Sequence, residues 1–143
     1  MNDLTTAQLH RQNVLNNRYA LQTAESHLAL GGVTYHGETV FTKQQVTSLF
    51  EVSDATVERY LAAHGDELKG NGYQLLKGKN LNEFKELVDA TLINEGTKTS
   101  ILGIFSFRAV LNLAMLLTES ERAKEIRSRV LDIVMDVLAE RTG

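Results

Sequence analysis

Between Val46 and Leu61 the chain reads VTSLFEVSDATVERYL. Two short apolar-periodic runs flank a break at Glu51-Val52-Ser53. A break that short forces two helices to cross steeply, so each must bury small or branched residues against the other. Val46, Leu49 and Phe50 are expected to point inward from the first helix, and Val52 to fill the corner. Ser53 is placed to cap the second helix, whose inner face is Val57, Tyr60 and Leu61. Its outer face is Asp54, Ala55, Thr56, Glu58, Arg59 and Ala62. Two positions depart from the usual pattern of such a corner, Thr47 standing in place of alanine and Glu51 in place of glycine. Glu51 must take a left-handed turn conformation, at roughly 1 kcal/mol, or the turn must differ in shape.

The rest of the chain sets the bounds. Its 143 residues suit one domain or two small lobes and suffice to bury a core. There is no cysteine, hence no disulfide framework and no thiolate zinc site. The first residues lack the basic start and apolar run of a signal peptide. No apolar stretch approaches the ~18 residues of a membrane span. A cytoplasmic location is the expectation, with no membrane partner. The net charge of -3 does not advertise nucleic-acid binding, so any contact with DNA must use a local cluster of Lys and Arg. Proline is absent, which fits a mostly helical chain.

Along the chain, residues 4–29 read as one helix closed by Gly31 and Gly32. VTYHGETVF signals a hairpin turning at His36-Gly37. After the paired helices, Gly70-Asn71-Gly72 reads as a turn, Tyr73 to Leu76 as a strand and residues 80–91 as a short helix. INEGTKTSILGIF reads as a second hairpin, turning at Glu95-Gly96. Ser106 is placed to cap FRAVLNLAMLL. Thr118 to Glu121 have capping-box spacing ahead of an apolar face of Ala123, Ile126, Val130, Ile133, Val134, Val137 and Leu138. Glu125 and Arg129 are spaced to pair, for about 0.3 kcal/mol. The expected fold is mainly α with small β-hairpins: a helix-turn-helix, winged-helix-like, followed by a C-terminal helical lobe. Residues 1–30 form an N-terminal helix, 31–79 the helix-turn-helix with flanking hairpin and wing, and 80–143 a helical lobe that dimerises.

In a DNA-reading version of the corner, the second helix, residues 54–63, lies in the major groove with its first turns at the base edges. Arg59 is the best direct reader, because a guanidinium contacts guanine O6 and N7 together. Ser53 and Thr56 can bond phosphate or base, and Lys43 is placed for a phosphate. Ala55 and Ala62 complete the face. Asp54 and Glu58 set negative charge where phosphates would come; a carboxylate can accept from cytosine N4, but here it lowers nonspecific affinity. Lys69, Lys77 and Lys79 flank the following turn, either as a wing on the DNA backbone or as lysines guarding an edge strand. The alternative to all of this is a helical corner of a core.

The text of the chain also resembles known families. GETVFTKQQVTSLFEVSDATVERYLAAHGDEL followed by YQLLKGK resembles the N-terminal DNA-binding region of bacterial proteins of the RhuM type. FSFRAVLNLAMLLTESERAKEIRSRVLDIV resembles a segment shared with phage antirepressor-like and Bro-N-like domains. The resemblance spans about Val33 to about Leu138. It implies a DNA-binding protein, often encoded near mobile or restriction loci, with double-stranded DNA as partner. Some longer relatives carry a region similar to Fic/Doc toxins, so a toxin-like or C-terminal effector domain is a further implied partner. The Fic HxFx signature is absent, and a fragment or stand-alone DNA-binding part is expected.

Other chemistry is poorly supported. His10, His27, His36 and His64 show no metal-ligand spacing. GYQLLKGKN has one residue too many between its glycines for a phosphate loop, and Asn80 where Ser or Thr should bind magnesium. Glu83, Glu86 and Asp89 read as a solvent face. Arg108, Arg122, Lys124, Arg127 and Arg129 interleave with Glu119, Glu121 and Glu125, a mixed face suited to helix pairing, with Arg108 the least obviously paired. No nucleophile–base pair, metal cluster or cofactor loop is visible, so neither an enzyme nor a cofactor is expected. Two functions stay open: a regulator reading DNA as a homodimer, and an antitoxin-like or antirepressor-like module that binds protein through its C-terminal helices, at a surface tested by charge at Val134.

Overall fold

The computed structural model describes residues 7–88 and 100–142. It is mainly helical, with one four-stranded antiparallel sheet. The N-terminal segment forms two helices, α1 (Gln8–Leu15) and α2 (Arg18–Leu28), where the apolar pattern predicted one. The break is chemical: the Asn17 side chain accepts from the Ala20 N–H at 3.0 Å, capping a new helix where the old one would have continued. The α2 helix ends at Ala29 in the left-handed conformation, ahead of Gly31 and Gly32.

β1 (Val33–Tyr35) and β2 (Glu38–Thr42) form the expected hairpin, with positive φ at both His36 and Gly37. β2 runs without a loop into α3 (Lys43–Phe50). Thr42, its last residue, accepts from the Gln45 N–H, and the Gln45 side chain accepts from the Thr42 N–H, a complete capping box. α4 (Asp54–Gly70) follows the corner; it runs past residue 63, with non-helical angles at His64. β3 (Tyr73–Lys77) leads into α5 (Gly78–Leu87), earlier and shorter than predicted, and Val88 is already extended.

Among the described residues β4 (Ile101–Ser106) pairs with β2 on one side and β3 on the other, giving the order β1-β2-β4-β3. The predicted turn at Glu95-Gly96 lies outside the described residues. β4 passes directly into α6 (Phe107–Leu116), capped by Ser106 as expected. α7 (Glu121–Thr142) completes the chain, but its cap is Ser120, whose Oγ accepts from the Ala123 N–H, and not Thr118. Glu125 pairs with Arg122 at 3.3 Å.

Period-2 alternation divides the sheet between two cores. Leu102 and Ile104, with Val40 and Leu76, face α5 and pack on Leu81 and Phe84. Phe41 and Phe105 face the other way, into the main core. There α6, buried along most of its length, lies at the centre, with Val110, Leu111 and Leu113, and Leu117 just beyond its end, inaccessible. Leu15 of α1, Ala20 and Ala24 of α2, Val46 and Phe50 of α3, Val57 and Leu68 of α4 and the inner stripe of α7 converge on it. The corner unit therefore rests on a continuous apolar base. No described helix is long and apolar enough to cross a membrane.

Candidate nucleic-acid interface

α3 and α4 meet through Glu51, Val52 and Ser53 alone. Glu51 adopts the left-handed conformation, φ 56° and ψ 46°, despite its side chain. The Glu51 and Val52 N–H groups both return to the Thr47 carbonyl, the latter at 3.1 Å, closing the helix end. Thr47 is half-buried, and its hydroxyl donates back to the Gln44 carbonyl at 2.8 Å, which lets it stand where alanine is usual. Ser53 accepts from the Thr56 N–H at 3.1 Å and so starts α4. Val46, Phe50 and Val57 are fully buried, while Leu49, Val52, Tyr60 and Leu61 pack half-buried around them.

The outer face is placed as the periodicity predicts. Asp54, Ala55, Glu58, Arg59 and Ala62 are exposed, and Thr56 is half-exposed with its hydroxyl 3.1 Å from that of Ser53. The cations of this face are paired within the protein. Lys43 Nζ donates to Glu58 Oε2 at 2.6 Å, bridging the start of α3 to α4. Arg59 donates to Glu119 in the α6–α7 corner, and its guanidinium lies 5.1 Å from the Tyr60 ring centroid. The Tyr60 hydroxyl donates to the other Glu119 oxygen at 2.6 Å. The bonds from Tyr60 and Arg59 hold the Glu119 carboxyl below the usual carboxylate range. Near the first turns of α4, then, Glu58 faces Lys43 and Glu119 faces Arg59, and Asp54 adds a third carboxylate at the helix start.

The other lysines lie elsewhere. Lys69 is ten residues along α4 from Arg59, roughly 15 Å at the helical rise. Lys77 ends β3, an edge strand of the sheet, and Lys79 stands in the first turn of α5; both are exposed.

Two features of this region escaped the sequence reading. One is Glu119, which looked like part of a mixed helix face. The other is a polar network behind the far half of α4. Arg11, 6% exposed, donates through Nε and Nη2 to the two oxygens of Glu67 at 2.9 and 2.8 Å. Asn112, in the centre of α6, donates to Glu67 Oε2 at 2.6 Å and accepts from Asn71 at 2.9 Å. Asn71 exchanges bonds with Gln12 and accepts from Arg108 Nε at 2.8 Å, so Arg108 is a structural residue, bonded also to Asn16. Burial pushes the Glu67 carboxyl up, but the bonds from Arg11 and Asn112 and the Arg11 charge outweigh it and hold it below its ordinary value. The polar spacing of Arg11, Asn71 and Asn112 carried no signal, because each sits in a different element.

No family model, no curated protein and no solved structure matches the chain.

Proposed function

We propose that the chain is a DNA-binding protein, a transcriptional regulator or the DNA-binding module of a mobile-element, restriction or toxin–antitoxin locus. The first turns of α4 enter the major groove as the second helix of a helix-turn-helix, and two copies meet half-sites as a homodimer. One observation carries the reading: α4 is anchored on its inner side by Val57 and Leu68 while Asp54, Ala55, Glu58, Arg59 and Ala62 stand uncovered at its outer start. The small side chains of Ala55 and Ala62 admit a close approach. Arg59 is the base reader, Ser53 and Thr56 contact backbone, and Lys43 reaches a phosphate by releasing Glu58, whose carboxylate lowers nonspecific affinity.

The strand order supports the winged-helix form of this unit. β2 leads into α3, β3 follows α4, and β4 returns between them. Lys77 and Lys79 then stand on the wing side and Lys69 at the far end of α4. Kinship with RhuM-type and antirepressor-like proteins, a toxin-like effector partner and a cytoplasmic location belong to the same proposal and rest on the sequence alone.

The test is selection from random duplexes at low and physiological salt, with the protein and its Arg59→Ala form. A two-fold-symmetric motif, lost in the variant, is the expected result; no enrichment at low salt refutes it.

The pairing of Lys43 and Arg59 with carboxylates favours a second reading, a protein-interaction module with little DNA binding of its own. Val134 is buried, so charge there disrupts the core instead of testing a surface. Met135, 64% exposed on α7, is the appropriate position. Loss of a partner in Met135→Glu, with indifference to Arg59→Ala, would support that module.

A further inference from the structure

The α6–α7 corner is fastened to both helices of the reading unit. Ser120 Oγ donates to the Phe50 carbonyl at 2.8 Å, tying the corner to the end of α3. One residue earlier, Glu119 accepts from Tyr60 and from Arg59 of α4. The Tyr60 hydroxyl also lies 3.5 Å from the Thr118 N–H and hydroxyl. Ser120 is buried and immobilised by its bonds, so Glu119 projects from a fixed backbone toward two α4 side chains. Both members of the ion pair remain open to solvent, Arg59 at 61% and Glu119 at 42% side-chain exposure. A duplex that reaches Arg59 therefore meets Glu119 as well.

We propose that Glu119 is a specificity-determining residue of the DNA interface, holding the Arg59 guanidinium in place and cancelling its charge toward phosphate while leaving donors for a base edge. This rests on the reading of α4 as a groove helix. A guanidinium carries five N–H donors in a rigid fork, so one edge can stay on Glu119 while another faces outward. Phosphate and carboxylate both seek the same charge-assisted bonds. Exchanging one for the other gains little, and keeping both brings two anions together. Guanine O6 and N7 accept two bonds without a negative charge. Glu119 thus weakens phosphate binding more than guanine binding. It also spares the loss of Arg59 side-chain freedom at the moment of contact.

The experiment compares the full chain with Glu119→Gln, Tyr60→Phe, Arg59→Ala and Arg59→Ala/Glu119→Gln. Each is titrated with a random-sequence duplex and with the selected duplex across a salt series. Removing the carboxylate frees about one cation for phosphate. The log–log salt slope of Glu119→Gln on random duplex should steepen by about 0.9, with affinity at 50 mM salt rising about tenfold. Affinity for the selected duplex should change less than about threefold, so discrimination falls. Tyr60→Phe, which removes the hydroxyl orienting Glu119, should shift in the same direction by less. The gain should vanish in the double variant. If Glu119→Gln leaves the random-duplex slope unchanged, or strengthens both duplexes equally, the role of Glu119 is refuted, while a motif selected by the unaltered protein still upholds the groove reading. If the unaltered protein selects no motif and binds no duplex, the groove reading falls and the role of Glu119 with it.

Discussion

Replacing Arg11 by alanine should be among the most damaging single changes outside the apolar core. The Arg11 and Glu67 side chains are 7% and 6% exposed, joined by two parallel bonds of 2.9 and 2.8 Å. Truncation leaves a buried carboxylate with Asn112 as its remaining side-chain donor among the bonds described above. Breaking a buried, hydrogen-bonded pair from one side costs about 3–5 kcal/mol, against a total stability of order 5–15 kcal/mol for a domain. The cost should depend on pH, and its sign follows from the carboxyl. In the unaltered protein the Glu67 value is lowered from 4.5, so its contribution is fully present above 4.5 and is lost as pH falls through the folded value. Without Arg11, the carboxyl loses the bond and the charge that oppose burial most directly, and its folded value rises from that of the unaltered protein. The variant's carboxyl then takes a proton on mild acidification, which relieves the buried charge. Urea unfolding at pH 7 and pH 4.5 should therefore give a deficit of about 3–5 kcal/mol that shrinks by at least ~1 kcal/mol at the lower pH. Adding Glu67→Gln to Arg11→Ala should recover part of the loss at pH 7. A deficit below ~1 kcal/mol at pH 7, or one equal at both pH values, would refute the account of this pair as a desolvated charge.

The other predictions concern the corner and its surroundings. Ser120→Ala removes the cap of α7 and the donor to the Phe50 carbonyl; a loss of about 1–3 kcal/mol is expected by denaturant unfolding, and less than ~0.5 would separate the corner energetically from α7. Glu51→Gly relieves a left-handed side-chain-bearing residue and should stabilise by up to about 1 kcal/mol, reduced by the added freedom of the unfolded chain; a clear loss would mean that Glu51 makes a contact of its own. Arg59→Ala should lower discrimination at one base position by about 1–3 kcal/mol in competition binding, and a uniform loss across sequences would make Arg59 a phosphate contact instead.

What the sequence disclosed and what it hid divide along the range of the interactions involved. The corner was legible because its causes are local: Ser53 caps, Val52 fills and Val57 turns inward within one short stretch. The hairpin at His36-Gly37 was legible for the same reason, its turn demanding two positive φ values in succession. The break at Asn16-Asn17 was also local, but an asparagine cap inside an otherwise helical pattern competes with continuation, and only the packing of α1 and α2 against different neighbours decides it. α1 lies against α6, whereas α2 lies against α7. β4 shows the opposite limit. Its alternation of Leu102 and Ile104 against Phe105 announces a strand, yet nothing within it names β2 and β3, more than twenty residues away, as partners. The site divides in the same way. Lys43, Glu58 and Arg59 were readable as one face, from helical spacing and a short turn. Glu119 was not, because its place beside Arg59 depends on Ser120 seizing the end of α3 seventy residues earlier in the chain. A reading helix judged by its own side chains alone therefore misses the carboxylate that decides how much of its charge a duplex meets.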